Sequence, residues 1–196
     1  MHIKSKEKSR FRLTHLLVFD AIMSALGVIF MIFVRFPLIP QVSYLIYDLG
    51  DIPAMIAGLL AGPIHGLLTL LVICLLQLFT ANSSGFWGLL MHFVSSGALV
   101  LVPALLWKWK KDNRVLIVSL FLATIVLVGI MIPFNLLVTP IFSGVPVEQV
   151  WEMILPVLIP FNALKGAISG VITFILFNAL LRASDKKILH IFDRGE

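Results

Sequence analysis

The stretch "LPVLIPFNALKGAISG", Leu155 to Gly170, lies where almost every other residue is apolar. Asn162 and Lys165 stand three residues apart in it, so they share one face of any helix the stretch forms. Whether that helix is surrounded by water or by lipid decides the fold. Of the 196 residues, 60% are hydrophobic and 13% are charged, whereas a soluble domain carries roughly 25% charged residues. Mean hydropathy is +1.05. The chain is therefore read as an integral membrane protein. At roughly 20 residues per span its length allows five or six helices in one bundle, with nothing left for a soluble domain.

The net charge of +5 is a topology signal rather than a nucleic-acid footprint, because of where the basic residues fall. Lys4, Lys6, Lys8, Arg10 and Arg12 precede the first apolar run. Lys108, Lys110, Lys111 and Arg114 fill one loop, and Arg182, Lys186, Lys187 and Arg194 follow the last run. The basic N-terminus and the apolar run behind it resemble a signal peptide, but the run continues to about Val34 without a small-residue cleavage pattern, so it is expected to be retained. The single cysteine, Cys74, excludes an intrachain disulfide.

Spans are expected at roughly 12–34, 52–61, 63–81, 86–109, 115–141 and 155–181. The second is short because "AGP", Ala61 to Pro63, ends one helix and starts another. Between spans one and two, "QVSYLIYDLGD" reads as irregular, as does the loop "FSGVPVEQVWE", Phe142 to Glu152; Pro133 is a candidate kink. Six spans put both termini and the basic loop on the cytoplasmic side, where 13 of the 15 Lys and Arg residues then lie. The expected fold is an all-α, six-span, multi-pass bundle forming one domain over 1–196. Ala21 and Ala25 form a small-xxx-small pair in span one, suited either to a partner helix or to ordinary packing within the bundle.

Counting 1.5 Å per residue from the cytoplasmic charges places Lys165 about 25 Å, His92 about 24 Å and Asn135 about 31 Å from the inner face. Gln77 lies just before an external turn at Asn82. Four helices thus carry polar side chains at one level toward the outside. Each is costly in lipid unless partnered, so a shared ligand pocket satisfies them together. Gln77 and His92 also suit interhelical hydrogen bonding, and Lys165 also suits snorkelling to the interface. Above this level, Tyr44, Tyr47, Asp48 and Asp51 in one loop, and Phe142, Glu148, Trp151 and Glu152 in the other, make a candidate lid, although a tryptophan at this height equally suits an interfacial anchor. Asp48 and Asp51 are the candidate partners for the Lys165 charge.

No G-x-x-x-x-G-K-[ST] phosphate loop is present, so ATP hydrolysis by this chain is not expected. Ser83, Ser84, Ser95 and Ser96 with His65 or His92 leave an intramembrane hydrolase as the alternative class, but no G-x-S-x-G elbow supports it. Histidine spacing does not suit a metal site. The chain is expected not to be an enzyme, and to carry no cofactor.

The segment "FPLIPQVSYLIYDLGDIPAMIAGLLAGPIHGLL", Phe36 to Leu68, and "IPFNALKGAISG", Ile159 to Gly170, resemble the substrate-binding S components of energy-coupling factor vitamin transporters, most closely the riboflavin-specific ones. The resemblance rests on the D-x-x-D-x-P pattern at Asp48, Asp51 and Pro53, the break at Gly62 and Pro63, and above all P-F-N-x-x-K-G from Pro160 to Gly166. It implies a bacterial cell-membrane subunit that captures a vitamin from outside and passes it inward, driven by a membrane coupling subunit of the EcfT kind and two ATPases. It further implies that Asn162, Lys165 and Asn135 contact the pyrimidine edge of a flavin, beneath the loop that follows helix one. By the same likeness, Ala21 and Ala25 meet the coupling subunit. The chain departs from the riboflavin pattern at Cys74, Gln77 and His92. Riboflavin or its phosphate FMN is the expected ligand, with pantothenate or a thiamin pyrimidine as alternatives. The asparagine amides suit the alternating carbonyls and N–H of the flavin edge, and Tyr44 or Trp87 could stack on the ring.

Overall fold

The segment Asp51 to Ala61 carries no polar side chain after its first residue, so a helix built from it has no face to turn to water. In the structure, a computed structural model, every residue from Asp51 to Leu60 is buried. Residues 2–39, 45–80, 85–184 and 189 are described, with residues 2–12 described by their backbone alone. Tyr44, Asn82, Ser83 and Ser84, and the C-terminal Lys186, Lys187 and Arg194, lie outside the described residues.

In chain order the elements are α1 (His2–Phe33), β1 (Arg35–Pro37), β2 (Ile46–Asp48), α2 (Asp51–Ala61), α3 (Pro63–Gln77), α4 (Gly85–Trp109), α5 (Asn113–Ser143), α6 (Val147–Met153), a π-helical stretch (Ile154–Leu158) and α7 (Ile159–Ala183). Among the described residues, four stretches are long and apolar enough to cross a membrane: Leu13–Phe33, Gly85–Trp109, Asn113–Ser143 and Val147–Ala183. At 1.5 Å per residue, α2 is about 16 Å long and α3 about 22 Å, both short of a core roughly 30 Å thick. They form a tight pair. A Cβ added at Gly66 would lie 2.7 Å from the Gly58 Cα and 2.6 Å from Val100 Cγ1. Residues eight apart in one straight helix would be about 12 Å apart, so the chain reverses between them. The reversal is made at Gly62, whose φ of 101° is open to glycine, followed by Pro63 in the first turn of α3.

The α2–α3 pair packs against α4; α4 packs along α5, α5 along α7, and α1 closes the group against α3 and α2. The core includes Met55, Leu70, Ile73, Leu99, Leu127 and Phe177, while Leu17, Ile22, Phe121, Leu137 and Ile175 point outward, as lipid contact requires.

Two segments expected to be irregular contain regular structure among their described residues. Arg35–Pro37 pairs antiparallel with Ile46–Asp48, Phe36 opposite Tyr47, so among the described residues a two-stranded hairpin stands beside the helices. The loop between spans five and six contains α6, which runs on through the π-helical stretch into α7, so the last helical segment begins at Val147 rather than near Leu155. Pro156 lies within that π-helical stretch, and a wider turn accommodates a residue that lacks an N–H. Helix α5, in contrast, remains helical through Pro133 and Pro140.

The Gly58–Gly66 contact has no flexible side chain that can move aside. Gly66→Val is expected to lower folding stability by about 3 kcal/mol or more, whereas Gly97→Ala, with its nearest neighbour at 4.0 Å, should change it by less than about 1 kcal/mol. Thermal unfolding in detergent measures both, and equal melting temperatures for the two variants would contradict this packing.

Candidate ligand-binding site

A cavity of about 480 Å³ lies between the hairpin and the adjoining ends of α4, α5 and the α6–α7 segment, within the range of small-molecule sites. Its wall is largely apolar, including Leu45, Met91, Met131, Val150, Leu158 and Phe161. Of the residues singled out in the sequence, Tyr47, Asp48, Gln77, His92, Asn135, Asn162 and Lys165 all line it. Tyr44 lies outside the described residues.

The polar groups beneath the cavity are organised by Asp51, at the first turn of α2 and 1% exposed. His92 donates from Nε2 to Asp51 Oδ1 at 2.7 Å. Ser96 donates its hydroxyl to Oδ2 at 2.7 Å, and Lys165 Nζ lies 3.2 Å from that same oxygen. The ammonium also donates to Ser96 Oγ at 2.9 Å and to Ser95 Oγ at 3.2 Å. Three acceptors therefore match the three N–H bonds of Lys165. On the far side of His92, Nδ1 meets the Gln77 side-chain amide at 2.5 Å. One network thus joins α2, α3, α4 and α7.

This geometry separates the readings open at the sequence level. Lys165 does not snorkel: it is 9% exposed and ion-paired, and its acid is Asp51. Asp48 instead accepts the Gly50 N–H at 2.8 Å, turning the chain from β2 into α2. Gln77 and His92 line the cavity and also act as interhelical hydrogen-bond partners. By residue type Ser95 and Ser96 suggest only a hydrolase, yet with His92 they occupy positions i, i+3 and i+4 of one helix, and that shared face is the sequence signal for their role. Ser95 donates to the His92 backbone carbonyl and Ser96 to Asp51, so neither hydroxyl donates to the imidazole as a catalytic dyad requires.

Asn162 and Asn135 keep capacity for a guest. Asn162 donates one amide N–H to the Leu158 carbonyl at 2.8 Å, and Asn135 donates one to the Met131 carbonyl at 2.7 Å. Each bond runs back one turn along its own helix and fixes the side-chain rotamer. The second N–H of each amide and the Asn162 Oδ1 remain for other partners; Asn135 Oδ1 accepts from Thr139 at 3.1 Å. Neither Asn135 nor Asn162 is more than 5% exposed.

The hairpin completes the enclosure. Tyr47 is buried, its phenol 3.0 Å from Ser169 Oγ on α7, and burial pushes that phenol up to about 12, so it remains neutral. Burial likewise raises Asp48, against the lowering influence of His92. Arg35, directly across the strands from Asp48, also lines the cavity, a residue the sequence reading did not single out. Trp87, a stacking candidate, is not among the lining residues; it packs edge-on against Phe86 at 5.7 Å. Ala21 and Ala25 are on α1, away from the cavity, and both are exposed rather than packed within the bundle.

The sequence profile of the family described as "ECF transporter, substrate-specific component" matches residues 15–177. The chain belongs to this family. An S component is a transporter subunit, and the chain is a multi-pass membrane protein. It is 30% identical over 179 residues to the riboflavin transporter RibU of Streptococcus thermophilus, covering 87% of this chain and 84% of that one. It is 27% identical over 155 residues to RibU of Staphylococcus aureus (76% and 81% covered), and 26% identical over 170 residues to the riboflavin transporter FmnP of Bacillus subtilis (82% and 89% covered). Among solved structures it resembles the chain described under "Structure and mechanism of the S component of a bacterial ECF transporter". That match has a TM-score of 0.75 at 26% identity and covers 87% of this chain and 97% of that one.

In this S component the Asp51–Lys165 pair is deeply buried, so removing one partner strands the other. Asp51→Leu or Lys165→Leu alone is expected to destabilise the protein by about 3 to 5 kcal/mol, and the double leucine variant by much less. A double-mutant cycle on melting in detergent checks this, and simple additivity of the two losses would mean the charges do not interact.

Proposed function

We propose that this chain is the high-affinity riboflavin-binding subunit of an energy-coupling factor transporter, capturing the vitamin at the outer face for ATP-driven import. The observation that carries the reading is the pair of rotamer-fixed amides, Asn135 and Asn162, opening into a mainly apolar cavity in an S-component fold. An isoalloxazine ring has matching demands. One edge alternates carbonyl acceptors with an N–H donor, and the opposite edge is apolar. The free amide N–H groups complement the carbonyls, the Asn162 oxygen complements the ring N–H, and the apolar wall takes the other edge. Names borne by relatives in three bacteria, each a riboflavin transporter, support the same ligand.

In this reading Lys165 acts mainly as the charge that balances Asp51, because its donors are already matched, and it contacts the ligand by exchanging a serine for it. Tyr47, Asp48 and the hairpin cover the bound vitamin, with Gln77 and His92 forming the adjacent wall. The chain forms a single domain of six spans with both termini cytoplasmic, counting the short α2 and α3 with the four long helices. Positive-inside charge placement supports that orientation. A coupling subunit of the EcfT kind meets the exposed Ala21 and Ala25 face of α1, and two ATPases supply the energy. No resident cofactor and no catalysis by this chain are required.

Protein purified in detergent from flavin-containing cells should be yellow and should quench added riboflavin fluorescence; colourless protein without quenching would overturn the flavin assignment. Asn162→Ala and Asn135→Ala should each weaken binding by about 1 to 3 kcal/mol, measured by fluorescence titration. Unchanged affinity in both would move the ring elsewhere in the cavity. Ala21→Leu or Ala25→Leu should block uptake while sparing binding, since added bulk prevents close helix approach.

A further inference from the structure

A second polar centre lies away from the cavity, and none of its residues lines it: Asp20 and Ser24 on α1 face His65 and Thr69 on α3. We propose that the Asp20–His65 pair sets the rotation of α1 about its own axis, and with it the face that α1 presents to the coupling subunit. The inference rests on the partner reading given above and adds the residues that position the contact face.

Helix α1 needs such a device. Its span is 22% buried, against 33 to 50% for the other long helices. Leu13, Leu17, Val18, Ile22, Leu26 and Ile29 are exposed on it. Lipid tails solvate these side chains as well as a protein interior does, so apolar surface alone gives such a helix little preference for one rotation over another. Directional contacts must supply that preference. Helices α1 and α3 run parallel and meet at three levels. His65 donates from Nδ1 to Asp20 Oδ2 at 2.7 Å; the Ser24 hydroxyl lies 3.5 Å from the Thr69 carbonyl; and Gly27 lies so close to Ile73 that a Cβ there would meet Ile73 Cδ1. The Ser24 contact is long, and that hydroxyl is already committed to the Asp20 carbonyl at 2.7 Å. The Gly27 contact permits close approach but has no direction of its own. The carboxyl–imidazole bond is therefore the strong directional contact of the three.

Asp20 cannot readily turn elsewhere. It is 7% exposed, and its Oδ1 is covered with no hydrogen-bond partner among the described residues, leaving His65 as the side chain that satisfies the carboxyl. Rotating α1 by one residue step, about 100°, would move that carboxyl toward lipid, where an acidic side chain at mid-span is strongly disfavoured. Ala21 is the next residue along the helix and Ala25 follows one turn later, both exposed. Holding Asp20 against His65 therefore fixes where the two alanines point.

The test co-expresses the full chain with the membrane subunit and two ATPases of a bacterial energy-coupling factor transporter, then measures recovered complex and riboflavin affinity separately. Asp20→Leu and His65→Leu should each reduce recovered complex by about tenfold, equivalent to about 1.4 kcal/mol, while riboflavin affinity changes by less than about threefold. Asp20→Asn, whose amide oxygen still accepts from His65, should assemble like the wild type. Normal assembly of both leucine variants would overturn the proposal. A parallel loss of binding and assembly would also overturn it, by making the pair a general stabiliser. Wild-type chain that binds riboflavin yet recovers no complex would instead overturn the partner reading beneath it.

Discussion

Asp51 carries a carboxylate into a part of the molecule that water does not reach, and the rest of the site follows from meeting that charge. An isolated buried carboxylate is prohibitively costly in a low-dielectric interior. Here it is met by Lys165 from α7 and by His92 and Ser96 from α4, and His92 is held in turn by Gln77 of α3. Because Lys165 must reach Asp51, the rotation of α7 is set, and Asn162, three residues earlier, is brought to the cavity wall. The ion pair thus acts as a positioning element. It holds four helices in the arrangement that leaves two asparagine amides facing an apolar space.

Burying Asp51 requires burying all of α2, which depends on small residues. Gly58 and Gly66 let α2 and α3 approach backbone to backbone, and the left-handed Gly62 allows the chain to reverse between two short helices. Immediately before α2, the Asp48–Gly50 turn joins Asp51 to the hairpin whose Tyr47 is anchored on Ser169 of α7. Contacts at the cavity cover and in the charge network beneath it therefore share a few residues of chain. On α3 His65 stands in the first turn and Gln77 at the last residue, so the Asp20–His65 centre and that network are separate polar contacts in the same bundle.

Much of this was legible from residue types and spacing. Lys165 and Asn162 stand out in an apolar helix, and counting the rise per residue places Asn135, His92 and Gln77 at a similar depth, where the structure brings them around one cavity. Choosing between Asp48 and Asp51 as the lysine's partner was beyond the sequence, because the two lie three residues apart and the choice depends on a turn at Gly50. The supporting role of Ser95 and Ser96 shows in the sequence only as a face shared with His92 on α4; the groups they meet, Asp51 and Lys165, come from α2 and α7. Strands of three residues gave too little alternation to reveal the hairpin. The early start of the last helical segment was masked by Pro146, Gly144 and Pro156, which read as loop residues although only the first two precede the helix.

The account makes the Asp51–Lys165 pair a support beneath the ligand and the two asparagines its recognition groups. A structure determined with riboflavin bound tests this most directly. It should place the carbonyl and N–H edge of the ring within hydrogen-bond distance of Asn135 and Asn162, with the Asp51–Lys165 pair still formed beneath. A ring seated away from both asparagines, or bound with that ion pair broken, would contradict it.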